Sequence, residues 1–344
     1  MGRAPSGRPT SFDIAYLAGV SQPTVSRALR GDRSVSMATR ERIQRIAQDL
    51  NYTVDKNASS LRSQRTNTIA LLFFEDGTDE NLINPFFLAM LGSITRACAN
   101  HGLDLLISFQ RMEDDWHTRY HDAKRADGLI LLGYGDYAIY AARIEQLVAQ
   151  GTHFARWGSV RSDRSGATVG SDNLGAGRLA GEHLIESGRR QIAFLGHADE
   201  HYPEFAHRYD GLCEALRGAG IEPDPALQFD ALTSEDAGYR AASALIASGK
   251  PFDAIFAASD LIAIGAMRAL VGAGRSIPQD VAVMGFDNIP AASLTSPPLT
   301  TVQQDIAGAG ECLVETVLAQ IEGREPPPPR LPTRLLVRGS TKGA

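Results

Sequence analysis

The chain has 344 residues, long enough for two or three domains that each bury a core. No run approaches the roughly 18 uninterrupted apolar residues of a membrane helix, and the opening MGRAPSGRPT is basic and polar without an apolar h-region, so the expected location is the cytoplasm. The 34 Lys/Arg against 40 Asp/Glu average to −6, but the first 66 residues hold eleven basic and five acidic side chains, +6, which leaves −12 on the other 278. A small basic head on a large acidic body suggests that only the head meets a polyanion, the alternative being a merely solvated basic face. Cys98, Cys213 and Cys312 fit neither a CxxC spacing nor a disulfide framework and read as buried apolar residues.

Within the head, Thr10 followed by Asp13 is a capping-box-like start, and Ile14, Leu17 and Ala18 supply one apolar face for a helix near 11–18 that ends at Gly19. Ser21 is expected to cap a second helix, its hydroxyl accepting from an early backbone N–H. Pro23 then falls in the first turn, where its missing N–H has no intrahelical acceptor to lose. Val25 and Leu29 face inward, while Gln22, Pro23, Ser26 and Arg27 lie on the other side. Ser36 caps a third helix with Ile43, Ile46, Ala47 and Leu50 as its buried stripe. Two short helices joined across a glycine turn, with a third packed on them, make a helix-turn-helix. A plain three-helix bundle explains the apolar stripes equally well, but not the small polar groups and Arg27 on the exposed start of the second helix, which suit a major groove.

The stretch TSFDIAYLAGVSQPTVSRALRG, followed by VSMATRERI, closely resembles the head of lactose-repressor-type (LacI/GalR) bacterial transcription regulators. The resemblance implies that Gln22, Pro23 and Arg27 read bases. Arg27 offers a bidentate fork to guanine, Gln22 pairs with adenine or other base edges, and Pro23 has only apolar contact to give. Thr10, Ser21, Thr24 and Ser26 are the candidates for phosphate contacts, which position without specifying. The polar NASSLRSQRT reads as a linker. The family's matching segment is a hinge helix whose AxxL leucine wedges into the minor groove, which implies that role for Ala58 and Leu61. Val54 stands where the family usually has proline, a less stiff entry to the hinge. The implied partner is a pseudopalindromic double-stranded DNA operator bound by a homodimer.

From residue 68, TIALLFF, LDLLISF, GLILLGY, RQIAFLG, AIFAAS and VAVMGF alternate with amphipathic stretches in the βαβ rhythm of parallel, doubly wound sheets. NPFF, GSDNLGAGRLAGEHL, RYDGLCEAL, AIFAASDLIAIGAMRAL, IPQDVAVMGFDNIP and PPLTTVQQD continue the resemblance in family order, which implies a two-lobed body like that of periplasmic sugar-binding proteins, crossed three times by the chain. The expected organisation is a helix-turn-helix head at 1–53, a hinge helix or linker at 54–66 and an effector-binding, dimerising body at 67–344. Its N-lobe is expected at about 67–167 plus 298–325, and its C-lobe at 168–297 plus 326–344.

The resemblance also implies an effector site beyond the carboxyl ends of the strands. Arg208 matches an arginine that grips hydroxyls or a carboxylate, Asp287 a carboxylate that accepts from sugar hydroxyls, and Phe87 an aromatic wall. Ser259 and Asp260 match a pair usually written Asn-Asp, and Asp172 is a further candidate. The alternative is that these buried charges pair with one another as structure. The run before NPFF is several residues longer than usual, and the loop GHADEHYPEFAHRYDG is rich in His, Glu and Tyr, both consistent with a larger or more polar pocket.

His197, His201 and His207 with Asp199 and Glu204 lack a defined metal-binding spacing, so no metal is expected there. GYGDYA mimics a dinucleotide fingerprint at the wrong strand, and no GxSxG, P-loop or carboxylate pair stands out. No cofactor and no catalysis are therefore expected. The sequence leads to a ligand-controlled transcription regulator, a repressor answering to a sugar, with a nucleobase or other non-sugar effector as the alternative and an α/β enzyme a distant third. The ending VRGSTKGA lacks the leucine heptads of a tetramerising coiled coil.

Overall fold

A computed structural model describes residues 9–29, 31–52, 65–74, 83–110, 114–133, 135–160 and 167–342. The chain divides into two units, Met1–Thr66 and Asn67–Ala344.

In the first unit, helix α1 (Ser11–Ala18) starts on a full capping box. The Thr10 N–H and hydroxyl donate to Asp13 Oδ2 at 2.8 and 2.7 Å, and the Asp13 N–H donates back to Thr10 Oγ1 at 3.4 Å. Those bonds hold the Asp13 carboxyl below its usual range. Gly19, at φ 61°, takes the left-handed conformation that closes the helix. Helix α2 (Gln22–Leu29) follows the turn, and α3 (Met37–Asp49) begins where Ser36 Oγ accepts from the Thr39 N–H at 3.3 Å. Ile14, Val25, Ala28 and Ile43 are fully buried between the three helices.

Leu17 is 56% exposed, against the expectation that it faces inward. The buried face of α1 is Ile14, Ala15 and Ala18, and Leu17 lies about 100° around the axis from Ala18. Leu29, Ile46 and Leu50 are half-buried at the rim of this core. Arg40 belongs to the fold of the head: its Nη2 donates to the carbonyls of Asp32 and Val35, both at 3.1 Å, and closes the loop between α2 and α3.

The second unit is built on two six-stranded sheets, ordered β11-β5-β4-β3-β1-β2 and β12-β10-β9-β8-β6-β7. The first contains β1 (Thr68–Phe73), β2 (Asp104–Phe109), β3 (Gly128–Leu132), β4 (Phe154–Trp157), β5 (Thr168–Ser171) and β11 (Arg330–Leu331). The second contains β6 (Ile192–Leu195), β7 (Gln228–Phe229), β8 (Ala254–Ala257), β9 (Ala282–Asp287), β10 (Thr300–Gln304) and β12 (Thr333–Leu336). All neighbours pair in parallel except β10 with β12. Helices α4 (Pro85–Asn100) and α5 (Tyr137–Ala149) belong to the first lobe. Helices α6 (Asn173–Glu186), α7 (Pro203–Gly218), α8 (Glu235–Ala247) and α9 (Asp260–Gly272) belong to the second, and α10 (Ile306–Glu322) returns to pack on α4.

The pairing shifts the expected lobe limits. Strand β5 bonds to β4, so residues 168–171 belong to the first lobe; β10 bonds to β9, so 300–304 belong to the second. Strand β11 bonds to β5, so residues 330–331, expected in the second lobe, belong to the first; the chain thus crosses after Ser171, again at Asp305, and finally at Pro332 between β11 and β12.

Helices α8 and α9 approach through glycines. A Cβ on Gly265 would lie 1.9 Å from the Glu235 carbonyl oxygen and 2.7 Å from the Tyr239 nitrogen, so the backbones must part to admit it. Gly265→Ala is expected to lower stability by about 1–3 kcal/mol. Urea unfolding checks this, and an unchanged midpoint would mean that the helices separate freely.

Candidate functional site

On the head, α2 leaves Ser21, Pro23 and Arg27 exposed and Gln22, Thr24 and Ser26 half-buried. The first intrahelical bonds run from the Thr24 and Val25 N–H groups to the Ser21 carbonyl at 2.9 and 3.1 Å, so Pro23 sits where no N–H is required. The Ser21 hydroxyl does not cap a backbone N–H as expected; it pairs with the Thr24 hydroxyl at 2.9 Å. Its backbone carbonyl already anchors the turn, and the neighbouring hydroxyl is the better-placed partner. Gln22 Nε2 donates to Ser11 Oγ at 3.2 Å, and Arg27 Nε reaches back to the Pro23 carbonyl at 3.4 Å. The Arg27 tether is long and exposed, so that side chain can exchange it for another acceptor, whereas the Gln22 bond is partly buried. Val54, Ala58 and Leu61 lie outside the described residues.

In the body, polar groups converge at the carboxyl ends of the strands. Arg208, on α7, is completely buried, with its guanidinium carbon 3.6 Å from the centroid of the Phe286 ring. Its Nε donates to Asn173 Oδ1 at 2.9 Å and its Nη1 to the Ala258 carbonyl. A Cβ on Gly177 would fall 2.1 Å from the Arg208 carbonyl oxygen, so the close crossing of α6 and α7 sets the arginine backbone in place. Asp287 ends β9 at φ 110° and accepts from Gln304 Nε2 at 2.7 Å. Gln304 Oε1 in turn accepts from the Ser171 hydroxyl at 2.6 Å and so links Asp287 to the end of β5 in the first sheet.

Burial pushes the Asp287 carboxyl up to about 7, against the opposing pull of Arg208 and the Gln304 hydrogen bond. An acid whose pKa is raised on folding contributes stability that is fully present below its unfolded value, about 4, and lost as pH rises through about 7. Stability of the free chain is therefore expected to fall by on the order of 2 kcal/mol between pH 5 and pH 8. Asp287→Asn should flatten that slope in urea titrations at the two pH values; an unaltered slope would assign it to other groups.

The other expected effector residues are placed differently. Asp260 is fully buried with both carboxylate oxygens engaged, accepting from Thr301 Oγ1 at 2.6 Å and from the Ile289 N–H at 2.8 Å. Burial, then the charge of Asp287, raises its pKa well above the ordinary value. Ser259 caps α9 through the Ile262 N–H at 3.3 Å, and Asp172 caps α6 through the Gly175 N–H at 3.2 Å. Phe87 is buried in the first-lobe core, edge-on to Phe86 at 5.2 Å. Arg208 and Asp287 thus share one site with Asn173 and Gln304, while Ser259, Asp260 and Asp172 shape the loops around it.

Facing this cluster, the first lobe contributes groups that the motifs did not indicate. Arg156, in the middle of β4, is 5% exposed; its Nε donates to Thr168 Oγ1 at 2.9 Å and its guanidinium lies 5.1 Å from the Tyr137 ring centroid. Glu204 Oε1 accepts from the Ser159 N–H at 2.6 Å, and the Ser159 hydroxyl meets His207 Nδ1 at 2.7 Å. Asp136 Oδ1 meets His201 Nδ1 at 2.8 Å, and that carboxylate raises the pKa of His201. The three loop histidines face separate partners, since His197 lies 3.7–3.8 Å from Asp230 and Asp199. Taken together, these buried groups supply guanidinium and amide donors and carboxylate and amide acceptors.

Residues 12–55 match the family described as bacterial regulatory proteins, lacI family, and residues 182–341 match the periplasmic binding protein-like domain. The transcriptional regulator CelR of Thermobifida fusca is 32% identical over 337 residues, covering 97% of this chain and 98% of its own. The chain belongs to the LacI family. Another LacI-family relative, the ribose operon repressor of Haemophilus influenzae, is 33% identical over 319 residues, 91% of this chain and 92% of its own. A solved CelR–cellobiose complex superposes with a TM-score of 0.70, covering 97% of this chain and all of that one at 32% identity. The lac repressor dimer bound to operator and an anti-inducer, 24% identical, shares the fold with a TM-score of 0.80 over 97% of this chain and 99% of its own. This LacI-family chain is thus a DNA-binding transcription regulator with a periplasmic-binding-protein-like body. Among its described residues no helix is long and apolar enough to cross a membrane.

Of the cleft residues missed from the LacI-family motifs, Arg156 left one trace in the sequence. An arginine inside the otherwise apolar FARW needs a buried partner or a ligand.

Proposed function

We propose that this LacI-family chain is a cytoplasmic homodimeric repressor of carbohydrate-utilisation genes that a small neutral sugar releases from a pseudopalindromic operator. The observation that carries the sugar reading is the buried set Arg208, Asn173, Asp287 and Gln304, which brings guanidinium and amide donors together with carboxylate and amide acceptors. CelR, solved with cellobiose, and the ribose operon repressor point to the same ligand class. Arg208 donates to ring or glycosidic oxygens, Asp287 accepts from hydroxyls, Glu204 adds a carboxylate from the same helix as Arg208, and Arg156 completes the site from the first lobe. In the head, Arg27, Gln22 and Pro23 read bases, and Thr10, Ser21, Thr24 and Ser26 hold phosphates. Ala58 and Leu61 enter the minor groove.

Coupling requires the sugar to bind one lobe arrangement better than the other. The bridges Ser159–Glu204, Ser159–His207 and Asp136–His201 join the lobes and are the contacts a lobe rearrangement must remake. No catalytic role is assigned to these residues.

A thermal-shift panel of mono- and disaccharides on the full chain tests the effector class. A sugar at a hundred times its Kd stabilises the folded state by about 2.7 kcal/mol and raises Tm. At least one sugar should do so for the parent and fail for Asp287→Asn. A response confined to nucleobases or other non-sugars would refute the sugar assignment.

A further inference from the structure

Between β2 and β3, the sequence HTRYHD forms a π-helical turn, His117–Asp122. In an α-helix residues 117 and 122 would diverge by about 140° around the axis. A π turn closes from residue i to i+5, which brings both His121 and Asp122 over His117. The two imidazoles stack, their centroids 4.6 Å apart with 23° between planes. His117 Nε2 lies 3.3 Å and His121 Nδ1 3.5 Å from the same oxygen, Asp122 Oδ1. One ligand atom from each of the three residues falls within 4.8 Å of the others.

These spacings decide between two readings. A single imidazole–carboxylate hydrogen bond would draw one nitrogen to about 2.9 Å and would not bring a second to the same oxygen at a similar distance. Four-coordinate ions with ligands about 2.1 Å away have ligand–ligand edges of about 3.4 Å, close to both nitrogen–oxygen separations. His117 is also oriented from behind: its Nδ1 is 2.7 Å from Oγ1 of the buried Thr152. With Nδ1–H donating to that hydroxyl, Nε2 keeps its lone pair directed at the shared point, as in a metal-bound histidine. Trp116 and Tyr120 are buried in the lobe core and hold the turn fixed, while His121 and Asp122 stay open to solvent.

We propose that His117, His121 and Asp122 bind a divalent cation of the zinc type, with water completing the shell. The ion fastens the π turn to the start of β4 through His117 and Thr152. A second cluster, His101 with Glu311 and Glu315, is a weaker competitor, because Arg324 Nη2 already lies 3.3 Å from Glu315.

Calorimetric titration of the chelator-treated full chain with zinc, paired with visible spectra of the cobalt form, tests the site. The expected result is one zinc ion per chain at this site and the strong visible bands of four-coordinate cobalt. Both should weaken at least tenfold in His121→Ala and in Asp122→Asn and stay unchanged in Glu311→Gln. His121 and Asp122 are exposed, so the metal-free variants should unfold at the parental temperature. Absence of the cobalt bands, zinc affinity unchanged in both variants, or loss confined to Glu311→Gln would overturn the assignment.

Discussion

Replacing Arg208 with alanine is expected to destabilise the body by about 3–5 kcal/mol and to abolish sugar binding. The guanidinium is fully buried, lies on the Phe286 ring and satisfies Asn173 Oδ1 and the Ala258 carbonyl. Its removal leaves two buried acceptors unpaired, opens a cavity on an aromatic face and takes away the charge that opposes the burial of Asp287. Arg208→Lys should recover part of the stability and little of the binding, because an ammonium is neither planar nor forked. Urea unfolding at pH 7 and sugar titration of each variant measure the two effects. Wild-type stability in Arg208→Ala would show that the cluster relaxes without its arginine.

Arg27→Ala is expected to weaken operator binding by about 1–3 kcal/mol, roughly 5- to 150-fold, with little change in Tm. Arg27 is exposed and, among the described residues, held by a 3.4 Å bond to the Pro23 carbonyl, so its loss leaves the head core intact. The loss should be accompanied by relaxed preference at one base position; phosphate contacts at Thr24 or Ser26 would instead weaken all sequences alike. Gln22 must leave Ser11 to reach a base, so Gln22→Ala should have the smaller effect. Anisotropy titrations on operator and scrambled DNA separate these outcomes. A variant that binds both as the parent does would remove Arg27 from the reading surface.

Legibility in the sequence followed polarity. Strands β3 and β8, with β1 beyond Thr68 and β9 up to its terminal Asp287, are buried in their parallel sheets and read as continuous apolar runs. Strands β4, β5 and β10 carry Arg156, Thr168, Ser171, Thr300 and Gln304, whose side chains bond to one another or to the C-terminal segment, so their composition resembles loop. All three expected crossings were displaced: the first two fall beside polar strands, and the third follows the two-residue β11, too short to show as an apolar run. In the candidate site, the matches at Arg208 and Asp287 lead to one cluster, but Asp260 and Ser259 are equally buried and engaged in holding loops and helix ends. No motif separates a carboxylate facing a ligand from one facing a backbone N–H. Arg156 and Glu204 come together only through the fold, 48 positions apart in the chain.

Sugar held by Asp287 and Arg208 is expected to control DNA binding by the head. The most direct test titrates the sugar found by thermal shift into the full chain bound to labelled operator DNA at fixed salt, for the parent and for Asp287→Asn. The expected result is release of the parent as the sugar concentration passes its Kd, and an Asp287→Asn complex of equal starting affinity that does not respond. Release of both proteins at the same sugar concentration, or of neither, would show that Asp287 does not couple sugar to DNA binding.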